Sequence, residues 1–73
     1  MAELKEVCRL QKNATTEFVF SLTDYRGENY VDIREWVETG TYKGFTKKGL
    51  RFRAELVQEF REKIQELENK LKG

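Results

Sequence analysis

The chain has 73 residues, 14 of them basic and 13 acidic, with one cysteine and no histidine. That length allows a single domain over residues 1–73, whose own core gives only a thin margin over the entropy of ordering the chain. The usual reinforcements are excluded, since one cysteine cannot close an internal disulfide and no histidine is present to build a structural metal site, which leaves a partner subunit.

Residues 1–10 alternate charged and apolar side chains and lack the unbroken apolar run of a signal peptide or membrane span. The expectation is a soluble, intracellular protein without membrane contact: cytoplasmic or nucleoid-associated in a prokaryote or virus, nuclear in a eukaryote. Residues 4–10 form the first strand, in which Cys8 reads as a small buried apolar residue. The polar stretch from Lys12 to Thr15 then turns the chain.

Residues 17–25 and 28–37 are β-rich runs separated by Arg26-Gly27, a two-residue turn ending in the residue that best accepts positive φ. The turn sets the register: Tyr25 opposite Glu28, Leu22 opposite Val31, Phe20 opposite Ile33, Phe18 opposite Glu35. Nearly all the apolar side chains then share one face. The other face carries Val19, Ser21, Thr23 and Tyr25 against Arg34, Asp32, Tyr30 and Glu28, with Trp36 further along. Three aromatics on the polar side of a sheet imply a ligand or a partner that covers them.

The fourth strand, residues 42–52, places Leu50 and Phe52 on one parity and Lys47, Gly49 and Arg51 on the other. Glycine inside a strand marks a bulge or the close approach of another backbone. From residue 54 to 72 the pattern turns helical, with Val57, Phe60, Ile64, Leu67 and Leu71 at alternating spacings of three and four. So narrow a stripe is typical of helices that pack on each other, and it is the expected homodimer interface.

The net charge of +1 conceals a strong asymmetry. Residues 1–40 sum to −3 and residues 54–73 to −1, whereas residues 41–53 carry five cations and no acid. Lys43, Lys47, Lys48 and Arg51 lie in this stripe, interleaved with aromatics. Phosphate backbones respond to such local potential, and unpaired bases stack on aromatic planes. Catalysis finds no comparable support: there is no nucleophile motif or phosphate-cradling glycine loop, and Asp32 and Glu35 point to opposite faces of their strand. The chain therefore reads as a non-enzymatic binder of single-stranded nucleic acid, with no cofactor, metal or small-molecule substrate. The residues this reading assigns to binding are Tyr25, Tyr30, Arg34, Trp36, Lys43, Lys47, Lys48, Gly49 and Arg51.

Asp24-Tyr25-Arg26-Gly27, Val31-Asp32-Ile33-Arg34-Glu35-Trp36 and Lys47-Lys48-Gly49-Leu50 together resemble the C-terminal domain of the transcriptional coactivator called positive cofactor four. The resemblance covers about residues 18–71. It implies an α+β fold, a four-stranded curved antiparallel sheet followed by one C-terminal helix, dimerising through the helices so that the sheets form channels for single-stranded DNA. It assigns stacking to Tyr25, and phosphate contacts to Arg26, Arg34, Lys47 and Lys48. Trp36 is a looser match, because the family carries aromatics at one or both of the positions after the Arg-Glu pair and here Val37 occupies the second. Glu28 stands where the best-known members have lysine. Family members act in transcription and several in replication or repair, so proteins of those processes are implied partners. Two other readings of the same face stay open: an RNA-binding domain and a dimeric protein-interaction module.

Overall fold

Positive φ at both central residues of the first clear turn, Arg26 at 53° and Gly27 at 80°, identifies the tight hairpin that organises the sheet. The computed structural model describes residues 3–73; the first two residues of the expected domain, and the side chain of Glu3, lie outside the description. Four strands follow in chain order, β1 (Glu3–Asn13), β2 (Thr16–Tyr25), β3 (Glu28–Glu38) and β4 (Lys43–Arg53). A single 3₁₀ turn (Ala54–Leu56) leads into α1 (Val57–Lys72). The strands form one antiparallel sheet in the order β1-β2-β3-β4, so every connection is a hairpin.

The β2–β3 ladder runs without a shift from Tyr25↔Glu28 to Thr16↔Val37, including Leu22↔Val31, Phe20↔Ile33 and Phe18↔Glu35. This is the register set by Arg26-Gly27. Both outer strands are bulged. In β1 the pairing slips between Glu6↔Ser21 and Cys8↔Phe20, leaving Val7 as an extra residue, and slips again near Lys12. In β4, Thr46, Lys47 and Lys48 lie between the paired residues Phe45 and Gly49, while β3 has only Glu35 between their partners Trp36 and Arg34. Bulges bend a strand and increase its twist, which curves both edges of this sheet.

Gly49 is what lets β4 return to the ladder after its bulge. A Cβ there would lie 2.5 Å from the Ile33 carbonyl oxygen and 3.1 Å from Arg34 Cα. The glycine therefore serves the close approach of β4 to β3, the second of the two roles a strand glycine can have.

The sheet has two unlike faces. One carries Phe18, Phe20, Leu22, Val31, Ile33, Leu50 and Phe52, joined by Cys8 and Leu10 from β1. It is largely uncovered. Phe60 of α1 stacks on Phe52, with centroids 4.9 Å apart and ring planes 17° apart, but the stripe beyond it points into solvent, Leu67 at 61% and Leu71 at 87% exposure. Cys8 is exposed on this open face, which corrects its reading as a buried residue. The molecule measures 41 × 37 × 18 Å, thin in one dimension because, among the described residues, little beyond Phe60 lies over the apolar side of the sheet.

The opposite, polar face holds the one buried apolar side chain among the described residues, Val19 at 2% exposure, together with buried Ser21, Thr23 and Asp32. Cross-strand pairing explains this burial. Val19 lies between Arg9 and Arg34, Ser21 between Glu6 and Asp32, and Thr23 between Leu4 and Tyr30, so short central side chains sit below longer flanking ones.

Replacing Gly27 with alanine forces a β-carbon into the left-handed region at a cost of about 1–2 kcal/mol, expected as a lower urea midpoint with an unchanged slope. Arg26→Gly at the preceding position should leave the midpoint equal or higher.

Candidate nucleic-acid interface

The polar face is assembled mainly from alternate residues of β3, whose Tyr30, Asp32, Arg34 and Trp36 project to one side over about 20 Å of strand. Cross-strand pairing adds Arg51 beside Asp32 and Gly49 beside Arg34. The bulge in β4 displaces Lys47 and Lys48 out of the ladder, with the Lys48 amide donating to Thr46 Oγ1 at 3.0 Å. Arg34, Lys47, Lys48, Gly49 and Arg51 converge with Asp32 on an open groove of about 370 Å³. Five of the ten residues assigned to binding from sequence thus meet in one place.

Asp32 forms the floor of that groove. It is 1% exposed, and its Oδ1 forms an ion pair with Arg34 Nε at 3.0 Å. Its Oδ2, like the Ser21 hydroxyl across the β2–β3 ladder, has no hydrogen-bond partner within the described residues. One edge of the Arg34 guanidinium thus compensates a buried carboxylate, and the planar fork carries further N–H donors beyond Nε.

The other assigned residues occupy flanking positions. Tyr25 and Arg26 lie at the β2–β3 turn, where the guanidinium stands 5.2 Å from the ring centroid. Tyr30 is half-buried beneath Arg51, 5.5 Å away, and its hydroxyl donates to Glu28 at 3.2 Å. Glu28 also pairs with Arg53 at 3.6 Å, so the acid at the family's lysine position is held by a neighbouring cation. Lys43 is opposite Glu38, at the far end of β4 and away from the groove.

Trp36 is more enclosed than its sequence position suggests. Arg9 lies 5.4 Å from the centre of its ring, and Phe45 meets it at 4.9 Å with the planes 81° apart. Arg9 is tethered in turn by Glu6, at 2.8 and 2.9 Å, and by Glu17 at 3.4 Å. The hydrogen bonds from Arg9 hold the Glu6 carboxyl below its usual range, and the same contacts raise the guanidinium pKa. Arg9, Phe45 and Arg53 are further cationic and aromatic members of this face, which sequence reading did not place there. Arg9 reaches it because the Val7 bulge reverses the parity of β1, and no turn residue marks that bulge. Phe45 could be found by counting parity back from Arg51, provided the bulge adds two residues.

A four-stranded open sheet with a trailing helix, carrying cations and aromatics on one face, defines a class of small nucleic-acid-binding modules. The chain belongs to the transcriptional coactivator p15 (PC4) family, whose model matches residues 12–63. Membership supports a general nucleic-acid-binding role and places the chain among non-enzymatic coactivator folds. BPSL1147, a PC4 homolog from Burkholderia pseudomallei K96243, is similar in both its crystal forms at 28% identity, covering 90% of this chain. The tetragonal form gives a TM-score of 0.77 over 98% of that chain, and the orthorhombic form 0.79 over 90%. No curated protein sequence matches the chain.

Arg34→Ala leaves Asp32 buried without its counterion. The expected loss is about 1–3 kcal/mol in urea denaturation, reduced to the extent that solvent screens the pair. Adding Asp32→Asn should recover most of that loss. A single variant as stable as the wild type would show that Arg34 does not compensate the buried charge.

Proposed function

We propose that the chain binds single-stranded DNA across the polar face with little sequence specificity, as a homodimer, in transcription regulation or in DNA replication and repair. The observation that carries this reading is the convergence of Arg34, Lys47, Lys48 and Arg51 on one groove, flanked along the same face by Tyr25, Tyr30 and Trp36. Cations follow the phosphates and aromatic planes receive unpaired bases, which a duplex keeps stacked on each other. Phosphate contacts fix no sequence, so binding tolerates many sequences.

The homodimer reading rests on the uncovered apolar surface. Each Leu, Ile, Val or Phe side chain taken fully out of water contributes about 1.5–3 kcal/mol. Val57, Phe60, Ile64, Leu67 and Leu71 are all exposed in the single chain, beside an open sheet face. A second copy supplies a surface of the same composition, and a twofold contact between identical patches closes on itself.

The deciding experiment is a titration of single-stranded DNA, duplex DNA and RNA of one sequence at several salt concentrations. Single-stranded DNA is expected to bind much more tightly than duplex, with log K falling against log salt by about 0.7 for each phosphate neutralised. Equal affinity for duplex would defeat the stacking role. Preference for RNA would move the activity to the other nucleic acid, and salt-independent binding would favour a protein-docking face.

Leu67→Glu puts a charge in the helix seam and is expected to give dissociation and loss of helical signal together, by sedimentation and circular dichroism. A well-folded monomer would show that the seam is not the interface.

A further inference from the structure

At the Trp36 end of the polar face, the most accessible aromatic plane belongs to Phe45. Phe45 is 37% exposed, whereas Trp36 is half-buried, with Arg9 over its ring and Phe45 against it. A base arriving at Trp36 must displace or share the ring with a guanidinium that Glu6 and Glu17 hold in place. Among the described residues no cation lies over the Phe45 ring. The perpendicular rings form a corner in which a base lying flat on Phe45 brings an edge to Trp36, and both flat stacking and edge contact are favourable geometries for π systems.

The backbone around Phe45 is fixed before any ligand arrives. Residues 39–42 connect β3 to β4 through Thr39, whose amide donates to the Tyr42 carbonyl at 2.7 Å and whose hydroxyl oxygen accepts from the Tyr42 amide at 3.0 Å. The Tyr42 hydroxyl then donates to the carbonyl of Phe45 itself at 2.9 Å. A preformed plane loses little entropy on binding. Lys43 and Lys47 lie two residues to either side of Phe45 on the same strand, so a cation flanks the plane in both directions along β4.

We propose that Phe45 is the base-stacking platform at this end of the face, with Trp36 as its wall and Arg9 as the support that keeps Trp36 in place. This rests on the single-stranded reading above and reassigns the stacking role given to Trp36 by sequence. It also gives Lys43, which lies outside the groove, a phosphate beside the stacked base.

The test combines photocrosslinking of the unmodified chain with two variants. A single strand carrying 5-iododeoxyuridine, irradiated on the protein, should crosslink to Phe45 in peptide mass spectrometry. Phe45→Leu keeps an apolar side chain without the aromatic plane. It should weaken single-strand binding about tenfold, the value of one stacked base, while leaving the salt slope unchanged because no phosphate contact is lost. Phe45→Tyr should bind like the wild type. Crosslinks confined to Trp36, or a folded Phe45→Leu chain binding within about twofold of wild type, would overturn the proposal and leave single-strand binding standing. A wild-type chain that fails to bind single strands would remove both.

Discussion

A sheet with one finished face and one unfinished face is the constraint on which the rest of this structure depends. Val19 is the single buried apolar side chain among the described residues, and it lies on the polar side, under Arg9 and Arg34. The aromatic and aliphatic side chains that would ordinarily form a core stand on the opposite side, half covered or open. A chain of this length has little stability to spare, so the covering of that surface governs whether the fold persists. The stack of Phe60 on Phe52 anchors only the start of α1. The rest of the helix carries its apolar stripe away from its own sheet, and the proposed assembly joins this stripe to the open face as one continuous surface.

The polar face owes its composition to two irregularities. Without the extra residue at Val7, Arg9 would point to the apolar side and Cys8 and Leu10 to the polar one. Without the bulge of β4, Lys47 and Lys48 would remain in the ladder instead of standing beside Arg34. Gly49 makes the second irregularity possible by letting β4 come against the Ile33 carbonyl. The same displacement that perturbs the ladder thus builds the cation cluster, and Asp32 beneath it orients Arg34 toward the groove.

These irregularities also explain what was legible in the sequence. The register of the central hairpin could be read to the residue, because Arg26-Gly27 fixes it and no shift intervenes as far as Thr16↔Val37. Tyr30, Arg34 and Trp36 were placed together for that reason. The edge strands lacked such a marker. β1 runs to Asn13 instead of stopping near Leu10, and its bulge sends Arg9 onto Trp36 by a tertiary fit that alternation alone does not encode. The helical pattern from residue 54 opens as a 3₁₀ turn with no side-chain cap, and regular α-helix begins at Val57. Cys8 followed its usual preference for burial only as far as the apolar side, which the single chain leaves open.

The offset between basic and acidic segments has a kinetic consequence. With a net charge of +1, the chain has little long-range field to draw a polyanion toward it from a distance. The cations of β4 act within a screening length of about 8 Å at physiological salt, and Glu6, Glu17 and Glu38, on the other three strands, oppose them at the Trp36 end of the face. On the proposed single-strand reading, capture is therefore a short-range event, made after encounter. Such a chain would survey nucleic acid by brief collisions and dwell only where exposed bases add stacking to the phosphate contacts.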